Sequence, residues 1–240
     1  LEEVTGKHHI AFLKTGDINS EAVAEKVRAV QPDLIVSAHL RKIMRKNIFS
    51  LAKKGAINVH PSLLPKYRGL SPQHQALMHG DSESGVTVHF IEEEVDTGGI
   101  VAQQKFSISK DDYIMQVQAK MLAIYKTIVV EAVAALEQES FRPLPQDLAT
   151  LSYFGPLKKS DRQVHLSKTA EEIYNLIRAV SLPYKGAFYE NYVFWTAEIS
   201  DDKDLENKYP AVGVYFEEAE DRVIIRTADG VLVSEDYELN

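Results

Sequence analysis

The stretch Asn58-Val59-His60-Pro61-Ser62-Leu63-Leu64-Pro65-Lys66-Tyr67-Arg68-Gly69 holds the residues whose types and spacing best suit chemistry. Asn58 and His60 stand two apart at the end of a short apolar run, so in a strand both side chains leave on one face. Pro61 and Pro65 stop that strand and stiffen the loop behind it. Some thirty residues later, Glu92-Glu93-Glu94-Val95-Asp96-Thr97-Gly98-Gly99 reads as an acidic loop leaving the next strand. Such a loop can bring Asp96 against the imidazole. The three residues then differ in capacity: a neutral amide donor, a base that titrates near neutrality, and an anion that orients and charges it.

None of the three forms a covalent intermediate readily. Ser62 follows His60 by two residues without the glycine pattern of a nucleophile elbow. The set suits acyl transfer in which the substrate supplies the nucleophile, for example an amine. His60 would accept the amine's proton, and Asn58, then protonated His60, would stabilise a tetrahedral oxyanion. On composition alone, Asn-x-His before prolines also reads as a satisfied turn. His8, His9, His79 and His165 read as surface or loop histidines, and His89 as strand filling. His39 reads equally as loop packing or as a pocket wall. The Glu92–Glu94 run is a solvated loop in this reading, and no second ligand cluster supports a metal, so none is proposed.

The positioning elements follow from periodicity. Ser20 opens a helix carrying Val23, Val27 and Val30, and Pro32 follows its end. Residues 33–38 form a short buried strand, a helix with Met44, Ile48 and Leu51 runs to Gly55, and residues 56–60 form the next strand. Helices between buried strands imply an α/β fold, a Rossmann-like, mostly parallel sheet. No G-x-G-x-x-G occurs, and the sequence reads either as entering such a sheet after a first βαβ unit or as forming a smaller sheet than usual. Residues 85–91 and 100–103 read as strands. Ile114, Val117, Met121, Ile124, Ile128, Ala132 and Leu136 mark one long amphipathic helix. A boundary near 140–150 divides a catalytic domain, 1–145, from a linker helix and small β domain, 146–240. There Thr169-Ala170-Glu171-Glu172 is a capping box, and strands at 192–196, 211–216, 222–226 and 231–233 follow, with a turn at Ala228-Asp229-Gly230.

Composition bounds the partners. The chain has 240 residues, 45% hydrophobic and 26% charged, with no cysteine, which excludes disulfides, thiolate zinc sites and a cysteine nucleophile. The first fifteen residues lack a signal-peptide pattern, and no apolar run approaches the ~18 residues of a membrane span. The expectation is a cytoplasmic, non-membrane protein. Net charge is -8, and residues 201–240 hold 4 Lys and Arg against 12 Asp and Glu. That region is poorly suited to neutralising a phosphate backbone.

The quoted loop, with Gly85-Val86-Thr87-Val88-His89-Phe90 and Val95-Asp96-Thr97-Gly98, closely resembles the 10-formyltetrahydrofolate-dependent formyltransferases. The resemblance is dense over residues 31–109. It implies Asn58, His60 and Asp96 as the catalytic trio and 10-formyltetrahydrofolate as co-substrate. It also implies a folate site between three loops: Lys42, Ile43 and Met44; Ser62, Leu63, Leu64 and Pro65; and Glu92, Glu93, Glu94 and Val95. Leu70 departs from the Arg that several members carry. Residues 170–179 and 183–188 resemble the linker helix and following turn of the tRNA and amino-sugar enzymes, with Lys185 where proline is common. The tail resembles their open β-barrel, shortened. The favoured acceptor is a small amine such as a nucleotide-linked amino sugar, since the acidic tail disfavours tRNA. Methionyl-tRNA formyltransferase is the alternative. A formyltetrahydrofolate hydrolase and an inactive folate-binding module rank lower.

Overall fold

Helix-forming and strand-forming segments alternate through the first half of the chain, and the fold follows them. The structure, a computed structural model, describes residues 1–40, 42–147, 149 and 151–239. In chain order come α1 (Glu2–Lys7), α2 (Glu21–Val30), β1 (Ile35–Ala38), α3 (Lys46–Phe49) and β2 (Ala56–His60). Then follow β3 (Arg68–Gly69), α4 (Pro72–Met78), β4 (Glu83–Phe90), β5 (Ile100–Ser107) and α5 (Ile114–Glu137).

Strands β1, β2, β4 and β5 form one sheet in that order. β1 and β2 run parallel, with Ile35 opposite Ala56. β2 and β4 run antiparallel, placing Asn58 opposite His89 and His60 opposite Thr87. β4 and β5 are also antiparallel. The expected mostly parallel sheet is therefore mixed. The loop between β4 and β5 is too short for the crossover of roughly a dozen residues that a parallel pair requires.

Alternation sorts β2 into two faces. Ile57 and Val59 pack with Val86, Val88 and Val101 beneath Met121, Ile124 and Ile128 of α5. Each such fully buried aliphatic side chain contributes ~1.5–3 kcal/mol relative to exposure. Asn58 and His60 are thereby turned to the opposite face. Val23 and Ala24 of α2 and Met44 and Ile48 close another cluster with Ala56.

The helix expected from Met44 to Gly55 is only the single turn α3. Asn19 is the reason: its Oδ1 accepts the Arg45 N–H at 2.8 Å and its Nδ2 donates to the Ile43 carbonyl at 3.0 Å. These bonds hold residues 43–45 out of the helix. α4 had no periodic signal because six of its seven residues are buried, Gln73, His74 and Gln75 among them. Only Pro72 in its first turn marks it in sequence.

The second half begins with β6 (Tyr153–Phe154), which pairs with β3. α6 (Ala170–Val180) opens with the expected capping box, Thr169 accepting from the Glu172 N–H at 3.1 Å. It packs Ile173 and Ile177 into a cluster with Ala76 and Leu77 of α4, Ile114 and Val117 of α5, and Phe194, Val223, Ile225 and Leu232 beyond. Then come β7 (Ala187–Tyr189), β8 (Tyr192–Phe194), β9 (Glu198–Ser200) and α7 (Lys203–Lys208). β10 (Gly213–Glu217), β11 (Arg222–Arg226), β12 (Val231–Ser234) and β13 (Tyr237–Leu239) complete the chain. These strands form two small antiparallel sheets, β10-β11-β12-β9 and β13-β8-β7, and the described residues close no barrel. Three-residue β7, β9 and β13 are too short to show alternation. Among the described residues no helix is long and apolar enough to cross a membrane.

One buried hydroxyl ties the site loop to this frame. Thr87 Oγ1 donates to the Ser62 carbonyl at 2.6 Å and accepts from the Leu64 N–H at 3.2 Å and from Gln103 Nε2 at 2.8 Å. Thr87→Val keeps the shape and strands these partners, so it should cost ~1–3 kcal/mol. Urea denaturation of the two proteins measures this, and an unchanged midpoint would show that the loop holds without the hydroxyl.

Candidate active site

The loop after β4 turns back on the strand it leaves. The Phe90 N–H donates to the Gly99 carbonyl at 2.9 Å. Gly98 lies so close that a Cβ there would sit 2.0 Å from the Phe90 carbonyl oxygen, which leaves room for no other residue. This fold-back brings Asp96 over the sheet face that carries Asn58, His60 and His89. Asp96 has φ +55, a left-handed conformation that Asp tolerates better than most side chains.

Its carboxylate is the centre of the site. Oδ2 accepts the Gly69 N–H at 2.9 Å and lies 3.5 Å from His60 Nδ1. Oδ1 lies 3.4 Å from His89 Nε2. Arg68, 4% exposed, donates through Nε to the Val95 carbonyl at 2.8 Å and again through its terminal nitrogen. That terminal nitrogen also meets Glu94 Oε1 at 3.2 Å.

Partner chemistry fixes the ring protons. His60 Nε2 lies 2.9 Å from the Tyr67 carbonyl oxygen, which can only accept, so Nε2 carries hydrogen. Nδ1 is then the basic atom of the neutral ring and faces Asp96. His89 Nδ1 lies 2.8 Å from the Phe90 carbonyl and is protonated for the same reason. Its Nε2 is 3.3 Å from Asn58 Nδ2, so the neutral ring accepts one amide hydrogen and leaves the other for the cleft. Burial pushes the His60 pKa below its usual 6.5, against the opposing pull of Asp96. Burial also works against ionisation of Asp96, but His89, His60 and the Gly69 N–H overcome it and hold the carboxyl below its usual 3.8. At neutral pH the pair is a neutral imidazole beside an anion.

A cleft of about 770 Å³ opens over this pair. Lys42, Ile43 and Met44 line one side, Glu92, Glu94 and Val95 another, and Leu70 and Tyr153 a third. The structure does not bring every expected folate contact to the cleft. Ser62 and Leu64 are buried beneath it, held by Thr87, and Leu63 packs on Gly85. Ser62, Leu63, Leu64 and Pro65 shape the loop from below rather than form a wall. Glu93 turns outward to Lys46 at 2.7 Å. His39 lines the cleft with its ring against Tyr125. His89, read from sequence as strand filling, is instead the cross-strand partner of Asn58 and touches Asp96. Its signal was the two-residue alternation, which places it and Thr87 on the face opposite Val86 and Val88.

Two family models match the chain. One, described as formyl transferase, covers residues 7–133, and the other, its C-terminal domain, covers residues 156–239. The chain belongs to the formyl transferase family. Solved structures of similar fold include WlaRD, a sugar 3N-formyl transferase with dTDP and 5-N-formyl-THF. It matches at 23% identity with a TM-score of 0.73, over 98% of this chain and 80% of its own. An N-formyltransferase from Helicobacter canadensis, in complex with folinic acid and dTDP-3-aminofucose, matches at 22% identity with a TM-score of 0.74, over 98% and 81%. HypX from Aquifex aeolicus with tetrahydrofolic acid matches at 18% identity with a TM-score of 0.67, over 99% of this chain but only 41% of that one.

In this formyl transferase the His60–Asp96 coupling has a measurable sign. With the Asp96 charge removed, the His60 pKa loses its larger upward influence and keeps only the smaller one, the bond to the Tyr67 carbonyl, against burial and the neighbouring His89 and Arg68. NMR of labelled histidine should show His60 titrating below 6.5 in the parent. In Asp96→Asn its midpoint should fall further. A midpoint that rises in the variant would mean that the two groups are not in contact.

Proposed function

We propose that the chain transfers a formyl group from 10-formyltetrahydrofolate to the primary amine of a small acceptor, a nucleotide-linked amino sugar or a similar molecule. The observation that carries this reading is the convergence of Asn58, His60 and Asp96 beneath one cleft in a formyl transferase chain. Residues 1–145 act as the catalytic domain, and 146–240 as linker helix and small β domain. The acceptor class follows the amino-sugar nucleotide bound by the Helicobacter canadensis relative.

The cleft suits a folate. Its volume lies within the usual range for small-molecule sites. Leu40 and Ile43 stand 39% and 65% exposed there, apolar surface that a flat pterin would cover. Lys42, Ile43, Met44, Glu92, Glu94 and Val95 would hold it. Bound folate supplies an activated formyl carbon. The protein's own work is then positioning and proton handling. Asn58 presents its remaining amide hydrogen toward the oxygen that gains charge. His60 Nδ1 takes the proton that the amine must lose, Asp96 stabilises the resulting imidazolium, and the imidazolium returns a proton to N10 of the folate as its bond to the formyl carbon breaks and tetrahydrofolate leaves. The Gly69 N–H holds that carboxylate in place.

The test is a formyl-transfer assay with 10-formyltetrahydrofolate and three acceptors: a dTDP-linked 3-amino sugar, methionyl-tRNA and water alone. Transfer to the sugar is expected. Formylation of the charged tRNA instead would move the acceptor to the second reading, and release of formate alone would make the protein a hydrolase. Against the productive acceptor, His60→Ala and Asp96→Asn should each lower kcat by ~100-fold or more, with folinic acid binding retained. Asn58→Ala should lower kcat more than it weakens folinic acid binding. A His60→Ala enzyme with near-normal kcat would overturn the mechanism.

A further inference from the structure

The polypeptide between the two halves does more than connect them. Leu144 and Ile100 exchange both backbone hydrogen bonds, at 2.7 and 2.9 Å, and this bridge already anchors the connector to the sheet. Two residues on, Gln146 makes a second contact that anchoring does not require. Its Nε2 donates to the carbonyl of Asp96 at 3.0 Å and to that of Gly98 at 2.7 Å. Both partners are acceptors, which fixes the amide's orientation. Its Oε1 is buried without a partner among the described residues. A residue kept only for packing would not carry an unmatched polar atom there; an apolar side chain would fill the space as well.

The same connector reaches the other half of the pair. Ser152 Oγ accepts the Tyr67 N–H at 2.8 Å, and the Ser152 carbonyl accepts the Arg68 N–H at 2.8 Å. The Phe154 carbonyl accepts the Leu70 N–H at 2.8 Å. Tyr67 is the residue whose carbonyl receives the His60 Nε2 hydrogen, and Gly69, between these bonds, donates to Asp96. The connector thus holds the acceptor of one imidazole hydrogen and the backbone of the carboxylate that faces the opposite nitrogen.

We infer that Gln146 is a positioning residue for Asp96: its paired donation to the Asp96 and Gly98 carbonyls sets the carboxylate's distance from His60. The contribution to catalysis rests on the function proposed above; the contribution to geometry does not. Arg68 holds the loop from the Val95 side and Gln146 from the Asp96–Gly98 side. Removing Gln146 leaves the carbonyls of the left-handed Asp96 and of Gly98 without its paired donor, with the Phe90–Gly99 bond remaining on that side of the loop.

Gln146→Ala and Gln146→Glu test this in the full chain. The ionised Glu keeps the size but cannot donate to two carbonyls. In both variants the His60 midpoint, read by NMR, should fall toward that of Asp96→Asn. Hydrogen exchange at the Gly69 N–H should quicken about tenfold or more, since its acceptor is no longer held. With a productive acceptor, kcat should fall about tenfold while KM for the folate changes less than twofold. Thr169→Ala, destabilising but remote, is the control and should move neither the midpoint nor the Gly69 exchange. A Gln146 variant that retains the parent's His60 midpoint and Gly69 exchange overturns the inference, whether or not it is active. If no acceptor is formylated by the parent protein, the functional reading fails and these two NMR measurements still decide the role of Gln146.

Discussion

An ionised carboxylate kept within 3.5 Å of one buried imidazole and 3.4 Å of another is the constraint on which this structure turns. A largely buried carboxylate is costly unless hydrogen bonds and opposite charge compensate it. Here the Gly69 N–H donates to it and two imidazole rings face it, an arrangement that the fold-back of residues 91–99 completes by bringing Asp96 to them. That fold-back needs glycine where it touches Phe90 and a left-handed Asp96. Strain of this kind persists only where the surroundings over-determine it. Arg68 on one flank and Gln146 on the other supply that determination, and both spend their donors on loop carbonyls. The loop's geometry is therefore a tertiary product.

That division explains what the sequence revealed. Two-residue alternation placed Asn58 and His60 on one face and Ile57 and Val59 on the other, because a period of two needs no tertiary information. The long helix α5 and the capping box at Thr169 were legible for the same local reason. The acidic loop announced Asp96 by type and distance along the chain. What stayed hidden were contacts made by register and by fold-back. His89 matters because β4 pairs antiparallel with β2 and sets it against Asn58. Arg68 and Gln146 matter because of carbonyls they reach across the site. The mixed sheet was missed for a related reason, since strand direction depends on what each connection packs against. The resemblance implied Ser62, Leu63, Leu64 and Pro65 as folate contacts, whereas in the structure Ser62 and Leu64 bond Thr87 and Leu63 packs on Gly85. A dense motif marks a residue as needed without saying whether it touches the ligand.

The connector also recasts the two family models as one functional unit. They leave residues 134–155 between them, the span that contains Gln146, Ser152 and Tyr153. Helix α6 then locks the second half onto α4 and α5 through a continuous apolar cluster. Arg178 extends this lock, donating from α6 to the carbonyls of Ser109 and Asp112 just before α5. Tyr153 carries the connector into the cleft itself, so the second half contributes a wall to the site as well as stability to the first.

In the proposed reaction, the order of charges gives His60 the role of base in place of Asp96, which lines the same cleft. An oxyanion forming beside an ionised Asp96 would meet like charge at short range in a poorly solvated place, where such repulsion is strong. Asn58 alone offers it one remaining amide hydrogen. In the proposed reaction, moving the amine's proton onto His60 changes the balance, because it sets an imidazolium against Asp96 while the oxyanion is present. The depressed basicity of His60 makes that ring neutral and ready before reaction, and Asp96 makes it a better base than burial alone would allow. The two opposing influences need not cancel; they need to leave a base that is empty at rest and stabilised once filled. A carboxylate acting directly as base would lose its charge on taking the proton and leave the oxyanion without a cation. With His60 as the proposed base Asp96 stays charged throughout, held by the Gly69 N–H at its carboxylate and by Arg68 and Gln146 at the carbonyls of its loop.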